Sequence, residues 1–309
     1  MTFRACVALM FLVLLAPAAR AQDDGLLRLG FFPPMDTDIV YRIEYRHDED
    51  LAGAKASVGW EHEIVLRIAG REPPDLLAGT FTLRKVTDLE GAGRDPFYLI
   101  AKAIEGESHR LKMLDAGVPV EVDWPAISER VNRRLPALTD AATASTIRAA
   151  LPGFGPDGVT GVMRPFWVTG TGYLRAFAKD GSLTTVNGLE LPAFYPVSGS
   201  TLESYGGKLE NSDDLLHVWR ISSDRTAAAK ALGPQLAGLA ARVAAGADRA
   251  KVQAMVDSAI AGGIEAIEGG VAVYDLTPGL MREVTLEARL VAGSLRRDTR
   301  IVITRLAPE

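Results

Sequence analysis

The sequence predicts an α+β fold, in which a large, curved, mostly antiparallel sheet (a half-barrel) is covered on its concave face by two helical blocks. Three observations predict this fold. Period-two hydrophobicity recurs towards both ends of the chain, and two segments near 125–151 and 226–262 have helical spacing. The first strands are also joined by connections too short for crossover helices. A sheet with one apolar face needs a cover, which the two helical segments would supply.

The first 21 residues have the three regions of a secretory signal peptide. Arg4 gives a positive start, Ala5 to Ala16 is an unbroken apolar stretch, and Ala19-Arg20-Ala21 offers small residues at the positions that a signal peptidase reads. The apolar stretch falls short of the ~20 residues that span a bilayer. We therefore expect cleavage after Ala21 and a periplasmic or secreted mature chain.

Cysteine usage and charge narrow the class of protein further. The one cysteine, Cys6, lies within the predicted signal peptide, and Gln22 would begin the mature chain, so we expect a soluble protein that is not a lipoprotein. The net charge of −5 argues against nucleic acid and anionic membrane surfaces as partners, because both attract basic patches. No later segment suits a membrane span, and no linker divides the chain, so we expect one domain over 22–309.

Alternating hydrophobicity defines the first strands. In DIVYRIEYR and WEHEIVLRI every second residue is apolar or aromatic, which predicts a hairpin across a polar connection. Further strands are predicted over 79–87, 97–104, 109–114 and 118–124, and Pro119 places the last at an edge. Six strands within about ninety residues indicate an antiparallel meander.

The first helical block should contain two helices. Asp123 can cap a helix that begins near 125 and that Pro136 should end. Thr139 or Asp140 can cap a second helix that runs to about Leu151.

The second half of the chain is predicted as strands around the second helical block. Asp180-Gly181 indicates a hairpin, and 189–197, 201–209 and 215–221 look extended. The helical material over 226–262 should be divided at Gly233-Pro234 and near Gly246. Strands follow near 264–275, 282–292 and 298–306, and Thr277-Pro278-Gly279 forms the turn between the first two.

Two stretches carry a resemblance to a known group of proteins. They are FFPPMDTDIVYRIEYR near the start and GGVAVYDLTPGLMREVTLEARL near the end. With the order of strands, helices and a closing hairpin, the chain resembles periplasmic half-barrels of the lipoprotein-localisation factor type and envelope proteins of similar build. The resemblance implies a cavity between sheet and helices that holds lipid or acyl chains. No functional residue carries over, because no motif matches position by position.

Motifs that could carry chemistry are weak. The string from Gly153 to Gly158 fits G-x-G-x-x-G, but prolines surround it where a strand and a helix are needed. His62-Glu63 lies in a predicted strand, which points the two side chains to opposite faces. The acidic run that begins at Asp48 has Gly59 where a calcium loop needs its last acid. We therefore predict no catalytic, metal or cofactor residue and no cofactor.

Three hypotheses for function remain open. The first is a non-enzymatic protein that holds an apolar or acyl-bearing ligand between sheet and helices. The second is an envelope scaffold with a filled core and an exposed apolar patch outside the sheet. The third is a hydrolase whose site is assembled from distant segments, with a histidine within ~3 Å of a serine or a carboxylate. The candidates for lining a ligand cavity are Tyr41, Ile43, Tyr45, Trp60, Ile64, Leu66, Trp124 and Leu286.

Overall fold

The computed structural model describes residues 26–51, 54–73, 75–114, 117–154, 163, 166, 176–178, 183–189, 197–210, 212–243 and 249–307. Within them, eleven strands form one open antiparallel sheet. Five helices accompany the sheet in the described part of the chain. The predicted fold class, a curved antiparallel sheet with helical cover, is confirmed. The predicted signal peptide lies outside the described residues.

The elements have the following bounds. The strands of the large sheet are β2 Asp38–Leu51, β3 Ala54–Glu72, β4 Leu76–Glu90, β5 Ser108–Leu114, β6 Pro119–Val122, β8 Leu183–Leu189, β9 Ser200–Lys208, β10 Asp214–Ser222, β11 Glu265–Asp275, β12 Met281–Ala292 and β13 Leu295–Arg305. The helices are α1 Pro96–Ile104, α2 Trp124–Leu138, α3 Ala141–Ala150, α4 Arg225–Val243 and α5 Arg249–Ala261. Across the large sheet the strands follow the order β6-β5-β4-β3-β2-β13-β12-β11-β10-β9-β8. A separate antiparallel pair joins β1 (Leu26–Arg28) to β7 (Ala176–Ala178).

The two ends of the described chain meet in the middle of the sheet. β13 pairs antiparallel with β2, so the N-terminal meander and the C-terminal hairpins form one continuous surface. β2 and β3 are longer than the sequence pattern predicts, because most of the polar connection between them is itself paired strand. Polar cross-strand pairs suit that end of the hairpin, as where the Ser57 hydroxyl donates to Asp48.

The segment 97–104 is a helix, so its prediction as a strand was wrong. Asp95 caps α1 and accepts a hydrogen bond from the Tyr98 N–H, while Pro96 occupies the first turn. Both residues favour a helix start. The buried residues Leu99, Ile100, Ala103 and Ile104 recur at helical spacing, and they place one face of α1 in the core. A short apolar run does not distinguish strand from helix by periodicity, and the Asp-Pro signal decides the matter here.

Pro136 does not end its helix, which corrects a second prediction. A proline lacks the N–H that would bond the carbonyl four residues earlier, here that of Asn132. Arg148 on α3 donates a hydrogen bond to that carbonyl at 3.2 Å, and the Thr139 N–H closes the last turn on Leu135. The interior proline is tolerated because a neighbouring helix supplies the missing donor.

Gly233-Pro234 does not divide the second helical block, since α4 runs through it. A Cβ atom at Gly233 would lie 3.3 Å from Ile260 of α5, so the glycine allows the two helices to approach closely. The predicted division near Gly246 lies outside the described residues. Asp180 and Gly181, where a hairpin was predicted, lie outside the described residues. The strands on either side of them do not pair with each other as the prediction requires, because β7 pairs with β1 and β8 pairs with β9.

Both helical blocks cover the same face of the sheet. Inward residues alternate along β12, where Leu286 belongs to a first apolar cluster with α2 and Leu290 to a second with α4 and α5. In the first cluster Ile127, Val131 and Leu135 point from α2 into the core. Each fully buried aliphatic side chain contributes about 1.5–3 kcal/mol, so these contacts hold the cover in place.

Candidate functional site

A belt of polar side chains separates the two apolar clusters on the concave face. Register places Glu268, Ala288, Thr299 and His47 side by side across β11, β12, β13 and β2. Arg297 and Glu49 form the neighbouring cross-strand pair. Alternation points all these side chains to the covered face. We call Glu268, Thr299, His47, Arg297 and Glu49 the polar belt.

His47 is the centre of the polar belt. Its Nδ1 lies 3.0 Å from Thr299 Oγ1, and its Nε2 lies 2.8 Å from Glu49 Oε1. A carboxylate only accepts, so Nε2–H donates to Glu49, and in the tautomer with its proton on Nε2 the Nδ1 atom accepts from the Thr299 hydroxyl. The network fixes one tautomer of the imidazole.

Arg297 anchors Glu49 from β13. Its Nε donates at 2.9 Å to Glu49 Oε1, and its Nη2 donates to the same oxygen. The hydrogen bond from His47 is the largest cause that lowers the pKa of Glu49, and Arg297 adds to it against the effect of burial, so that the pKa falls to about 2. Burial raises the pKa of Asp95 at the start of α1, against smaller opposing contributions that include Arg297. Glu49 is therefore ionised at neutral pH.

The arrangement meets the distance that the hydrolase hypothesis requires, because His47 Nε2 lies 2.8 Å from a carboxylate oxygen of Glu49. The imidazole links a hydroxyl to a carboxylate, as it does in a serine-protease triad, where it accepts the proton of the hydroxyl and donates to the carboxylate. Two features limit the chemistry. The Thr299 side chain is buried in the middle of β13, and Glu49 is already held by Arg297. Adjacent strands form such pairs as ordinary cross-strand contacts.

The other three histidines are packed on the inner faces of their strands. His62 stacks on Trp60 with ring centroids 4.9 Å apart. His109 lies 5.5 Å from the ring of Phe81. His217 Nε2 lies 3.1 Å from Ser204 Oγ, with both side chains buried. Burial lowers the pKa of His62 to about 4, and it also lowers the pKa of His109.

The hairpin between β11 and β12 covers an apolar cleft at one end of the sheet. The Phe32 N–H donates at 2.8 Å to Pro278 O in the turn, which ties the segment before β2 to the hairpin. The cleft has a volume of about 10 Å³. That is room for one water molecule, far below the several hundred Å³ of a ligand pocket. Its walls are Phe31, Ile39, Tyr41, Leu66, Ile68, Met113, Gly117, Phe166, Leu280 and Met281.

An apolar group is exposed on the opposite, convex face. Tyr205, Val218 and Val271 lie directly opposite one another on β9, β10 and β11. Their exposed fractions are 38%, 37% and 45%. Polar side chains at these three positions would remove no contact from the core, because the positions face away from it. Glu203 and Arg220 form the adjacent exposed pair. We call Tyr205, Val218 and Val271 the convex row.

The predicted cavity-lining residues all lie in or against the first apolar cluster. Two of them, Tyr41 and Leu66, line the cleft, where burial raises the pKa of Tyr41. Trp124 begins α2, and Tyr45 is half-buried. The others are packed within this cluster. They are Ile43, Trp60, Ile64 and Leu286.

Sequence reasoning missed the polar belt and the convex row. His47 and Glu49 stand two apart in a run that the sequence assigns to a connection, and Thr299 and Arg297 show the same spacing near the other end of the chain. Alternation within each strand was visible, but their pairing depends on the β2–β13 register, which no local pattern gives. The convex row likewise depends on the register of three strands.

Comparisons with protein-family models and with curated proteins give no match. Among solved structures, the chain is similar to lipovitellin, in a structure that concerns lipid–protein interactions, with 9% identity and a TM-score of 0.45 over 89% of this chain. The similarity spans 25% of the lipovitellin chain. Rv2717c from M. tuberculosis aligns over 86% of this chain and 91% of its own, with 7% identity and a TM-score of 0.19. At these scores neither likeness carries an argument about the ligand, and the resemblance to lipoprotein-localisation factors stays a prediction.

Two kinds of feature are absent from the described part of the chain. No helix there combines the length and the hydrophobicity that crossing a membrane requires. The same residues contain no group of three or more His, Cys, Asp or Glu side chains arranged to hold a metal ion.

Proposed function

We propose that the protein is an exported, non-enzymatic envelope protein that acts by binding another protein through the convex row. The observation that carries this proposal is the contiguity of Tyr205, Val218 and Val271, three of the large apolar side chains that are exposed. Isolated exposed apolar residues are ordinary, whereas contiguous ones on a sheet face mark contact surfaces. The small cleft volume supports the same proposal, since the scaffold hypothesis expects a filled interior.

The charged residues beside the convex row indicate what kind of partner surface would fit there. Glu203 and Arg220 face each other beside the convex row, and neither makes an ion pair within the described residues. A partner that buries Val218 and Val271 would bring its own charges beside this pair. We therefore expect a protein surface with an apolar centre and a rim that carries both an acid and a base.

Site-specific photo-crosslinking in the cell envelope tests this proposal. A crosslinker at position 218 or 271 should give a discrete adduct. Val218→Lys should abolish the adduct that the crosslinker at position 271 gives. Leu89, which is 43% exposed on β4, provides the matched control position. A product of twice the chain mass would identify a second copy as the partner. Equal yields at 89 and 218, or no adduct at 218 and 271, would overturn the proposal.

An apolar or acyl-bearing ligand is the second candidate function. The observation that favours it is the apolar lining of the cleft, beside which Phe32 is 64% exposed. A chain-like ligand would have to displace flexible walls such as Met113 and Met281. Native mass spectrometry of protein purified from the envelope, with uptake of a fluorescent fatty acid, tests it. Bare protein mass together with no uptake would rule out this second function and leave the first untouched.

A further inference from the structure

Trp60 and His62 present two buried polar atoms that have no hydrogen-bond partner within the described part of the chain. The atoms are Trp60 Nε1 and His62 Nδ1. The side chains are only 6% and 7% exposed, and they lie on the same face of β3. An unsatisfied buried N–H is destabilising, and such groups are rare enough in folded proteins to require an explanation.

The surroundings of this pair are aromatic. The Tyr45 ring lies 5.7 Å from Trp60 across the β2–β3 register, and the Tyr98 ring approaches from α1 at 6.1 Å, edge to face. Both tyrosines are half-buried, so the aromatic surroundings of the Trp60–His62 pair are partly exposed to solvent. Phenylalanine would supply the same packing at 60 and 62 without the unsatisfied atoms.

The protonation of His62 restricts the chemistry of anything bound there. Burial keeps its pKa near 4, so the ring is neutral at pH 7 and can carry its proton on Nδ1. The two stacked rings then offer two N–H donors, and a carbonyl oxygen has two lone pairs to accept them. A bare carboxylate would incur the same desolvation penalty that keeps His62 neutral, which favours an uncharged acceptor.

We propose that the Trp60–His62 pair, roofed by Tyr98 of α1, binds the carbonyl oxygen of an uncharged amide or ester. The site is separate from the convex row, so it goes beyond the proposed protein contact and can fail independently of it. Trp60 donates from Nε1, His62 donates from Nδ1, and the remainder of the ligand lies against the Tyr45 and Tyr98 rings.

The indole N–H resonance of Trp60 reports binding directly. The sequence has four tryptophans, and Trp60→Phe assigns the resonance by its loss. In the wild-type chain, ethyl hexanoate or N-ethylhexanamide should move the Trp60 resonance downfield, whereas the matched ethyl hexyl ether should not, since an ether oxygen accepts more weakly. The ester and the amide distinguish the two sources of the carbonyl.

Variants provide the second measurement. Trp60→Phe should weaken binding of the responding carbonyl probe about fivefold to tenfold, and should leave the ligand-free melting temperature unchanged or higher because it removes an unsatisfied donor. Trp124→Phe, in the same apolar cluster, should keep the wild-type response. An unmoved Trp60 resonance overturns the proposal, and so does an equal response to the ether. A long-lived water contact to the Trp60 indole in the ligand-free protein that persists with either probe also overturns it.

Discussion

His47 Nδ1 and Thr299 Oγ1 lie 3.0 Å apart although 252 residues separate them in sequence. The contact crosses the β2–β13 boundary, where the N-terminal meander meets the C-terminal hairpins. The pairing of β2 with β13 must be held in one register, because a one-residue slip would turn every inward side chain of the slipped strand outward. A hydrogen bond between two inward polar groups, beside the Arg297–Glu49 pair, stabilises one register over its neighbours.

A double-mutant cycle on His47 and Thr299 should reveal this coupling. We expect His47→Ala and Thr299→Val each to lower the free energy of unfolding by about 1–2 kcal/mol, and the double variant to lose about 0.5–1.5 kcal/mol less than their sum. Urea denaturation gives all three values. Thr304→Val, on the exposed face of β13, serves as the control and should stay within about 0.5 kcal/mol. Strict additivity would contradict the coupling.

Thr299→Val and His47→Ala also test whether the protein hydrolyses esters. If the Thr299 hydroxyl were an activated nucleophile, ester hydrolysis by the wild-type protein would be lost in Thr299→Val. We expect no hydrolysis above buffer with p-nitrophenyl esters for either protein, because Thr299 is buried and Glu49 is held by Arg297. Wild-type turnover that disappears in both Thr299→Val and His47→Ala would make the protein an enzyme.

Glu49 should contribute to stability in the acid range. Its pKa is about 2 in the folded chain and about 4.3 when unfolded, so the unfolded state binds the proton first as the pH falls. The contribution is complete above the unfolded pKa, and it is lost between about pH 4.5 and 2. Allowing for partial solvent exposure, we expect roughly 1–2 kcal/mol. Glu49→Gln should flatten the stability profile in this window, as measured by urea unfolding at each pH, and an unchanged slope would contradict the shift.

His62 should act in a different window. Its folded pKa of about 4 lies below the unfolded value near 6.5, so the unfolded state again binds the proton first. Stability is therefore complete above about pH 6.5 and falls as the pH is lowered towards 4, by up to about 3 kcal/mol. His62→Phe should remove most of this decline, while the decline below pH 4 should remain. Burial also lowers the pKa of His109. His109 should therefore account for part of the loss of stability that remains between about pH 6.5 and 4 in His62→Phe.

The sequence predicted the parts of the fold that local patterns control. The alternation from Ile39 to Tyr45 and from Val284 to Leu290 gave the strands and their covered faces, and Asp140 gave the start of α3. The failures occurred where a contact from elsewhere in the chain overrides local chemistry. Pro136 is accommodated because Arg148 reaches the Asn132 carbonyl, and no local rule contains that contact.

The candidate sites were predictable only in part. Tyr41, Trp60 and Leu66 were expected to be inward because period two is a property of one strand. Whether they enclose space depends on how the helices pack, and the cleft of about 10 Å³ shows close packing around Tyr41 and Leu66. Segment 97–104 was assigned to the wrong element, which hid Tyr98 as the ring that covers Trp60 from α1.

Gly279 allows the β11–β12 hairpin to close on the segment before β2. Its φ of 78° lies in the left-handed region, its N–H donates at 2.7 Å to Asp275 O, and an added Cβ would lie 1.6 Å from Gly30 O. The obstructing atom is backbone and has no rotamer by which to move away. Gly279→Ala should therefore cost about 3 kcal/mol or more, since backbone displacement adds to the conformational penalty of about 1–3 kcal/mol.

Gly70→Ala is the matched control, because no atom lies within 4 Å of its Cβ position. It should leave the free energy of unfolding within about 1 kcal/mol of wild type. Limited proteolysis separates local from global effects of Gly279→Ala, since loss of the Phe32 to Pro278 hydrogen bond should expose the segment around Phe31 before the sheet unfolds. If both alanine variants had equal stability and equal cleavage rates, the close approach of Gly279 to Gly30 would not be what holds this end of the sheet.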